Sequence, residues 1–274
     1  MAIEDMADSK DMIGGPQSYV GKSRCQPGWR RAVNSAIDVV AGTLFPANCE
    51  LCQAPSLRPL PLCLACEADL SRNESQCLQC AEPLPAVATR GTEALCGRCQ
   101  NQPPAFDRVI APWLYCPLMA QLIGRWKFQG QHRLTPLLYY LWRQALDETP
   151  SADVIVPVPL HWRRLLRRGY NQSGLLCRQI LSDPTGEPAM RGDFASVKRN
   201  RSTPPQSGLD AAKRRANLRG AFTVNGRYDN LRVAIVDDVF TTGATATELS
   251  RVLRAAGAKT LEVWCLARTP SPDY

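Results

Sequence analysis

The 274-residue sequence contains no stretch that approaches the roughly 18 consecutive apolar residues of a membrane-spanning helix, which excludes an integral helical membrane protein. The first 11 residues are polar and acid-rich, and they lack the basic and apolar segments of an export signal, so we expect a cytoplasmic location. Histidine is scarce as well. The chain has only His132 and His161, and we predict no catalytic role for either because neither has a partner visible in the sequence.

Acidic residues are depleted between His161 and Asn225, where 13 basic residues stand against 4 acidic ones. The net charge of the whole chain is +8, so the remainder is close to neutral. A local excess of this kind favours an anionic partner such as a phosphate, a nucleotide or a nucleic acid. A solvated basic face is the alternative interpretation.

The chain divides into three predicted segments. Residues 1–28 show no periodicity and are predicted to be a flexible leader. Residues 29–104 are predicted to be a short amphipathic helix followed by a cysteine-rich module whose aliphatic residues are too scattered to form a core. Residues 105–274 alternate between strand and helix patterns, which predicts an α/β domain with a mostly parallel sheet covered by helices on both faces.

The predicted elements of the α/β domain follow from hydrophobic periodicity. Strands are predicted over 109–115, 154–156, 231–236 and 261–267, and Pro112 indicates an edge position or a bulge in the first of them. Helices are predicted over 118–128, 134–146 and 172–181, and a further helix is predicted to end at Gly257.

Eight of the 12 cysteines form four CxxC pairs, whose members are Cys49, Cys52, Cys63, Cys66, Cys77, Cys80, Cys96 and Cys99. Each CxxC pair offers two thiolates to one ion, and two pairs complete a tetrahedral site that suits Zn²⁺. In a reducing compartment such pairs favour metal over disulfides. We predict two structural zinc ions, since four thiolates leave no open coordination position. Sequential and interleaved pairings both remain open, and iron–sulfur or redox use is the alternative to zinc.

A second motif, VAIVDDVFTTGAT at residues 233–245, leads from an apolar strand through Asp237 and Asp238 into a short loop and a helix. Gly243 allows a ligand to approach the backbone closely, and the N–H groups at a helix start bind anions. Two carboxylates at the carboxyl end of a strand suit sugar hydroxyls or Mg²⁺. The motif therefore predicts a ribose-phosphate site. A helix N-cap beside an incidental acidic pair is the alternative.

This stretch resembles the phosphoribosyl pyrophosphate (PRPP) signature of type I phosphoribosyltransferases. Further motifs are Lys127-Phe128-x-Gly130, the segment VPVPLHWRRLLRRGYNQ at 156–172, and a set of spaced residues, Arg199, Thr203, Gln206, Leu209, Arg214 and Asn217. With these motifs, the chain resembles the ComF/GntX family over about residues 36–268. The resemblance implies that Asp237 and Asp238 contact the ribose hydroxyls of Mg²⁺-bound PRPP. It also assigns the 5′-phosphate to Thr241, Thr242, Gly243, Ala244 and Thr245.

The resemblance assigns the pyrophosphate to a second loop, formed by Val158, Pro159, Leu160 and His161. Arginines follow at 163, 164, 167 and 168, within reach of that group. Further anion contacts are predicted at Arg168, Tyr170 and Asn171. A mobile loop over 198–222 is predicted to supply Lys198, Arg199, Thr203, Gln206, Arg214 and Asn217. The alternatives are solvent-exposed arginines, a packed Tyr170 and a disordered basic loop.

Three functions fit these features. The first is a PRPP-binding member of the ComF family that acts in DNA uptake or utilisation, as in natural transformation. It would contact single-stranded DNA through the basic segment, and the resemblance implies a DNA-uptake helicase and DNA-processing proteins as partners. The second is an active phosphoribosyltransferase that displaces pyrophosphate at the anomeric carbon of PRPP, with an acceptor that the sequence does not identify. The third is a non-catalytic PRPP sensor.

Overall fold

The computed structural model describes residues 47–85, 94–186, 189–201 and 218–271. These residues all belong to one compact unit, Pro46–Tyr274. The predicted leader over 1–28 and the predicted helix that follows it lie outside the described residues. No helix among the described residues is long and apolar enough to cross a membrane.

A parallel sheet forms the centre of the unit. Its strands are β1 (Arg108–Ile110), β2 (Trp113–Leu114), β3 (Val154–Pro157), β4 (Arg191–Gly192), β7 (Arg232–Phe240) and β8 (Thr260–Arg268). The spatial order is β1-β8-β7-β3-β4, and β2 pairs with the carboxyl-terminal part of β8. The predicted strand over 109–115 is thus two short edge strands that Pro112 separates, which confirms the edge position inferred from that proline.

One face of the sheet is covered by α3 (Pro117–Phe128), α4 (Thr135–Gln144) and α6 (Gln172–Leu181). These three helices were predicted, and the bounds of α6 agree with the prediction. Between α3 and α4 the chain makes a 3-10 turn, His132–Leu134. Alternate residues of β7, Ala234 and Val236, pack on this face.

The opposite face of the sheet is covered by α7 (Ala244–Ala255) and by a two-stranded antiparallel sheet of β5 (Val197–Arg199) and β6 (Phe222–Val224). Val233 and Ile235 of β7 pack here, together with Leu249 and Leu253 of α7. Because β7 is buried on both sides, its sequence is an apolar run and does not alternate. Helices therefore cover both faces of a parallel sheet, which confirms the predicted fold class.

The cysteine-rich module packs on the sheet domain as two ribbons. The first ribbon (47–70) contains α1 (Leu64–Ala68) and contributes Cys49 and Leu62 to the core of the α3–α4–α6 face. The second ribbon (71–85 and 94–102) contains α2 (Gly97–Asn101) and contributes Cys77, Cys80 and Cys99 to the core of the α7 face. Each ribbon thus shares a hydrophobic core with the sheet. A domain boundary between residues 104 and 105 stays a prediction.

Candidate functional site

Two adjacent carboxyl groups lie near the carboxyl end of β7, in the centre of the sheet. The strand was predicted to end at residue 236, but it continues to Phe240, so that Asp237 and Asp238 lie within it. Asp238 forms an ion pair with Lys127, with 2.9 Å between Nζ and Oδ2, and accepts a hydrogen bond from the Val239 N–H at 2.6 Å. Asp237 accepts hydrogen bonds from the Asp238 N–H at 2.9 Å and from the Ser173 hydroxyl at 3.3 Å. Burial and the neighbouring Asp238 carboxylate raise the pKa of Asp237 to about 7.

The loop after β7 is short and has a fixed conformation. Gly243 has a left-handed backbone, with φ of 74°, and α7 begins at the next residue. A Cβ atom at Gly243 would lie 2.7 Å from the Phe240 ring, so only glycine fits. The Ala244 N–H points to the Thr242 hydroxyl at 3.5 Å, and the other N–H groups of the first helical turn have no partner within the helix. The turn after β7 is thus formed by Thr241, Thr242, Gly243, Ala244 and Thr245, and the N–H groups at the start of α7 are of the kind that binds anions. That these residues hold a phosphate stays a prediction.

The loop after β3 faces the acidic pair. The Val158 N–H donates to the Val236 carbonyl at 3.0 Å, so this loop is attached to β7. Pro159 and Leu160 follow, and then His161 caps the short helix α5 (Trp162–Arg168) by accepting the Arg163 N–H at Nδ1, at 3.3 Å. His161 is buried and has a structural role as the N-cap of α5.

A cavity of about 200 Å³ brings the two loops and the acidic pair together. Its charged lining residues are Lys127, Arg164, Arg168, Arg199, Asp237 and Asp238. Burial and the nearby Arg164 guanidinium lower the pKa of Arg199 to about 10, because several cations share a confined space. With four cations and two carboxyl groups, the lining has an excess of positive charge that suits a polyanion carrying hydroxyl groups.

Three lining residues were not assigned a role from the sequence. Lys127 lies in the last turn of α3, while Gln172 and Ser173 begin α6 and are buried. Gln172 reaches Asp238 at 3.5 Å through Nε2, and its Oε1 is buried without a hydrogen-bond partner, as is Nε of Arg168. Buried polar atoms without partners are typical of a site that a polar ligand completes. Two adjacent polar residues at the first positions of the helix were the sequence signal for Gln172 and Ser173.

Other predicted anion contacts have different partners. The Tyr170 hydroxyl donates to the Trp126 carbonyl, and its ring packs edge-on against His132 at 6.0 Å. The Asn171 amide donates to the Val158 carbonyl at 3.0 Å and so holds the second loop in place. Lys198 is exposed in β5, a strand rather than a loop, and of the two basic residues there only Arg199 lines the cavity. Thr203, Gln206, Arg214 and Asn217 lie outside the described residues.

A larger cavity, of about 760 Å³, lies at the amino ends of the strands. Both of its arginines are paired with carboxylates: Arg108 with Glu262 at 2.9 Å, and Arg232 with Asp153 at 2.9 Å beside the cavity. Open parallel sheets bind ligands at the carboxyl ends of their strands. The smaller cavity, which is lined by the acidic pair and by Thr241 and Thr245 at the two ends of the turn, is therefore the candidate functional site.

The cysteines form two separate clusters, Cys49/Cys52/Cys63/Cys66 and Cys77/Cys80/Cys96/Cys99. Within each cluster all four Sγ atoms lie within 4.8 Å of one another, which resolves the pairing as sequential. The Cys52–Cys63 and Cys80–Cys96 sulfur distances are 3.8 and 3.6 Å. Four sulfurs at about 2.3 Å from one zinc ion lie about 3.8 Å apart, so the geometry fits two structural Zn²⁺ sites.

A buried arginine connects the second ribbon to the turn after β7. Arg268, at the end of β8, is 1% exposed and forms an ion pair with Glu82 of the second ribbon. It donates to the Cys80 carbonyl at 3.2 Å and to the Phe240 and Thr241 carbonyls at 3.2 and 2.6 Å. One side chain thus joins a CxxC pair of the second ribbon to the first residues of the turn after β7.

Known proteins match both the cysteine-rich module and most of the chain as a whole. Residues 40–102 match the double zinc ribbon domain family. The DNA utilization protein YhgH of Salmonella typhi is 37% identical over 232 residues, which cover 82% of this chain and 98% of that protein. Competence protein F of Haemophilus influenzae is 37% identical over 216 residues, which cover 76% of this chain and 90% of that protein. The chain belongs to the ComF family.

Solved structures give weaker matches. The glutamine PRPP amidotransferase of B. subtilis matches 50% of this chain and 26% of its own length, with 19% identity and a TM-score of 0.31. A purine phosphoribosyltransferase from Pyrococcus horikoshii matches 54% of this chain and 73% of its own length, with 18% identity and a TM-score of 0.25. These scores are too low to bear on the site.

Proposed function

We propose that this protein binds Mg²⁺-PRPP in the cavity at the carboxyl end of β7 and acts in the uptake or utilisation of DNA. The observation that carries the first part is the position of Asp237 and Asp238 beside the glycine-containing turn at the start of α7. The names of two relatives, a DNA utilization protein and a competence protein, support the second part. The four-thiolate sites suit a reducing compartment, and we extend the proposal to the cytoplasm.

The residues present fit PRPP group by group. The turn from Thr241 to Thr245 would hold the 5′-phosphate with backbone N–H groups and hydroxyls. The acidic pair would accept hydrogen bonds from the ribose hydroxyls. Arg164 and Arg168 would bind the pyrophosphate, for which the loop from Val158 to His161 forms one wall. Mg²⁺ would neutralise part of the charge of the pyrophosphate.

Calorimetric titration with PRPP tests this assignment. We expect Mg²⁺-dependent binding by the wild type and a loss of at least about 100-fold in affinity in Asp237→Asn/Asp238→Asn, because two charged acceptors are removed. Asp153→Asn removes a carboxylate that is paired with Arg232 beside the other cavity and should bind as the wild type does. Equal affinity in the double variant and the wild type would contradict the proposal.

The catalytic alternative predicts a different reaction product. In an active transferase a nucleophile bonds to the anomeric carbon of PRPP, the bond to the pyrophosphate oxygen breaks, and pyrophosphate is released. A sensor would bind PRPP and return it unchanged. Measuring pyrophosphate release during incubation with candidate acceptors separates the two.

A further inference from the structure

Helix α5 has two rows of arginines that point in different directions. Its sequence, WRRLLRR, contains four arginines and no acidic residue, and the helix has no buried residue. Arg164 and Arg168 are half-buried and line the candidate PRPP cavity. Arg163 and Arg167 are exposed. Residues four apart lie on one face of a helix, so each pair forms a separate row.

The exposed row is accompanied by apolar side chains that face solvent. Trp162 is 58% exposed and Leu166 is 75% exposed. The Arg163 guanidinium lies over the Trp162 ring, 5.2 Å from its centroid. An exposed tryptophan beside an arginine combines an aromatic ring with positive charge, and both are features of surfaces that bind single-stranded nucleic acids.

We propose that the outward face of α5, defined by Trp162, Arg163, Leu166 and Arg167, binds single-stranded DNA. A base stacks on Trp162, and the two outward arginines contact flanking phosphates. Charge complementarity selects a polyanion, and stacking on an indole requires a base that is not paired. The inference rests on the proposed role in DNA utilisation, and it places the contact with DNA on α5.

The two ligands would contact different sides of one short helix. The inward arginines stand beside Asp237 and Asp238, whose negative charge suits sugar hydroxyls and disfavours a DNA backbone. The outward face lacks acidic residues within the helix. Binding of DNA should therefore depend on Arg163 and Arg167, and binding of PRPP on Arg164 and Arg168. From the sequence alone, DNA contact was assigned only to the basic segment as a whole.

The test uses the full chain and a fluorescently labelled oligothymidylate, whose binding is followed by anisotropy over a range of salt concentrations. We expect Trp162→Ala to weaken binding about fivefold or more, since stacking one base on an aromatic residue contributes at least that much. Phe194→Ala is the matched control. Phe194 is 42% exposed and also has an arginine, Arg178, over its ring at 5.0 Å, but it follows β4 and does not belong to α5.

The arginine rows provide a second, charge-matched pair of variants. Arg163→Gln/Arg167→Gln should reduce the slope of log affinity against log salt by about 1.4, or about 0.7 for each lost phosphate contact, and should leave PRPP binding unchanged. Arg164→Gln/Arg168→Gln removes the same charge from the cavity. It should leave that slope unchanged and weaken PRPP binding.

Several results would overturn this inference. One is that Trp162→Ala and Phe194→Ala weaken oligonucleotide binding equally, and another is that both arginine variants lose the same amount of salt slope. The inference would also fail if duplex DNA competed as effectively as single strands, or if the wild type did not bind the oligonucleotide. PRPP calorimetry on the same preparations tests the proposed function separately. DNA binding through α5 without PRPP binding would contradict the PRPP assignment and leave the DNA surface supported.

Discussion

At the residue scale, the site depends on two neighbouring carboxyl groups with unequal surroundings. Asp238 has the Lys127 ammonium at 2.9 Å, whereas Asp237 has a hydroxyl and a backbone N–H as its direct partners. The ammonium is a direct charged partner of Asp238. Burial and the Asp238 charge instead favour the protonated form of Asp237. The pair therefore changes its total charge near neutral pH.

PRPP affinity is predicted to increase as the pH rises from about 6 to about 8, because a carboxylate at Asp237 accepts a ribose hydroxyl better than a protonated acid does. Binding below pH 7 should release close to one proton, which calorimetry in buffers of different ionisation enthalpy measures. Asp238→Asn removes the repulsion that contributes to the raised pKa and should move the transition to lower pH. A pH-independent affinity in the wild type would contradict this prediction.

The raised pKa of Asp237 also affects stability, and in the opposite direction: PRPP affinity is predicted to rise with pH, whereas stability falls. The pKa of Asp237 in the folded protein, about 7, exceeds the usual unfolded value of about 3.9. Between these two values the folded state binds the proton more tightly, so the contribution of Asp237 to the free energy of unfolding falls as the pH rises through this window. Above pH 7 the site holds a carboxylate at a cost in stability, and a bound ligand would offset that cost.

At the scale of elements, the turn between β7 and α7 is held from both sides. Arg268 donates to the Phe240 and Thr241 carbonyls, and the Phe240 ring lies against Gly243. Phe240 in turn packs edge-on against Phe106, at 5.6 Å between ring centroids. The backbone N–H groups are thereby oriented before any ligand binds, which reduces the entropy that binding must remove.

Gly243→Val is predicted to abolish PRPP binding while the fold survives, since it adds a β-branched side chain at a left-handed position and against the Phe240 ring. Gly130→Ala is a useful comparison, because Gly130 has a similar φ of 70° with no atom near the added Cβ. It should cost about 1 kcal/mol of stability and leave PRPP affinity unchanged. Calorimetry and urea unfolding measure the two effects, and wild-type PRPP binding by Gly243→Val would show that the turn is not the phosphate site.

Thr245→Ala in the same turn should weaken PRPP binding about tenfold, as expected for one lost hydrogen bond to a charged group. Its side chain lines the cavity, whereas that of Thr247, one half-turn further along α7, lines a different cavity beside the second ribbon. Thr247→Ala is therefore the control, and calorimetry again gives the affinities. Equal effects of the two substitutions would place the phosphate elsewhere.

At the scale of the whole molecule, the ribbons and the sheet depend on each other. Glu50 of the first ribbon is buried and pairs with Arg125 and Arg133, while Glu82 of the second ribbon pairs with Arg268. Cys49 of the first ribbon lies in the hydrophobic core of one face of the sheet, and Cys77, Cys80 and Cys99 of the second ribbon lie in that of the other face. Loss of zinc should therefore affect the sheet domain as well as the ribbons.

Elemental analysis should find two zinc ions per chain, and Cys49→Ser and Cys77→Ser should each lose one. PRPP affinity should fall up to about tenfold in Cys77→Ser, because only the second ribbon is connected to the turn through Arg268. Cys49→Ser should lower PRPP affinity less than Cys77→Ser does. Cys116→Ser, outside both clusters, should keep both ions. Trace zinc in the wild type, or equal PRPP binding by the Cys49 and Cys77 variants, would contradict these expectations.

Arg268→Met should lower the free energy of unfolding by about 3–5 kcal/mol, because it leaves Glu82 buried without its partner. Arg268→Met/Glu82→Gln should recover part of that loss, since the second substitution removes the unpaired charge. Denaturant unfolding measures both changes. A double variant less stable than Arg268→Met would mean that Glu82 is stabilised by groups other than Arg268.

The sequence by itself determined the features that depend on local patterns. The CxxC spacing defined the metal ligands, hydrophobic periodicity defined α6 and the central strands, and the order of strand, acids, turn and helix located Asp237, Asp238 and Gly243. Each of these signals lies within about 20 consecutive residues, where chain geometry fixes which groups are neighbours.

Only the tertiary structure decided which distant residues meet. It paired the cysteines sequentially, brought Lys127, Gln172 and Ser173 to the acidic pair, and divided the arginines of α5 between the cavity and the surface. It also placed Arg268 between a zinc knuckle and the turn, 188 residues apart from Cys80 in sequence. The physical reason is that the direction of a side chain depends on how its helix or strand packs against elements that are remote in the sequence.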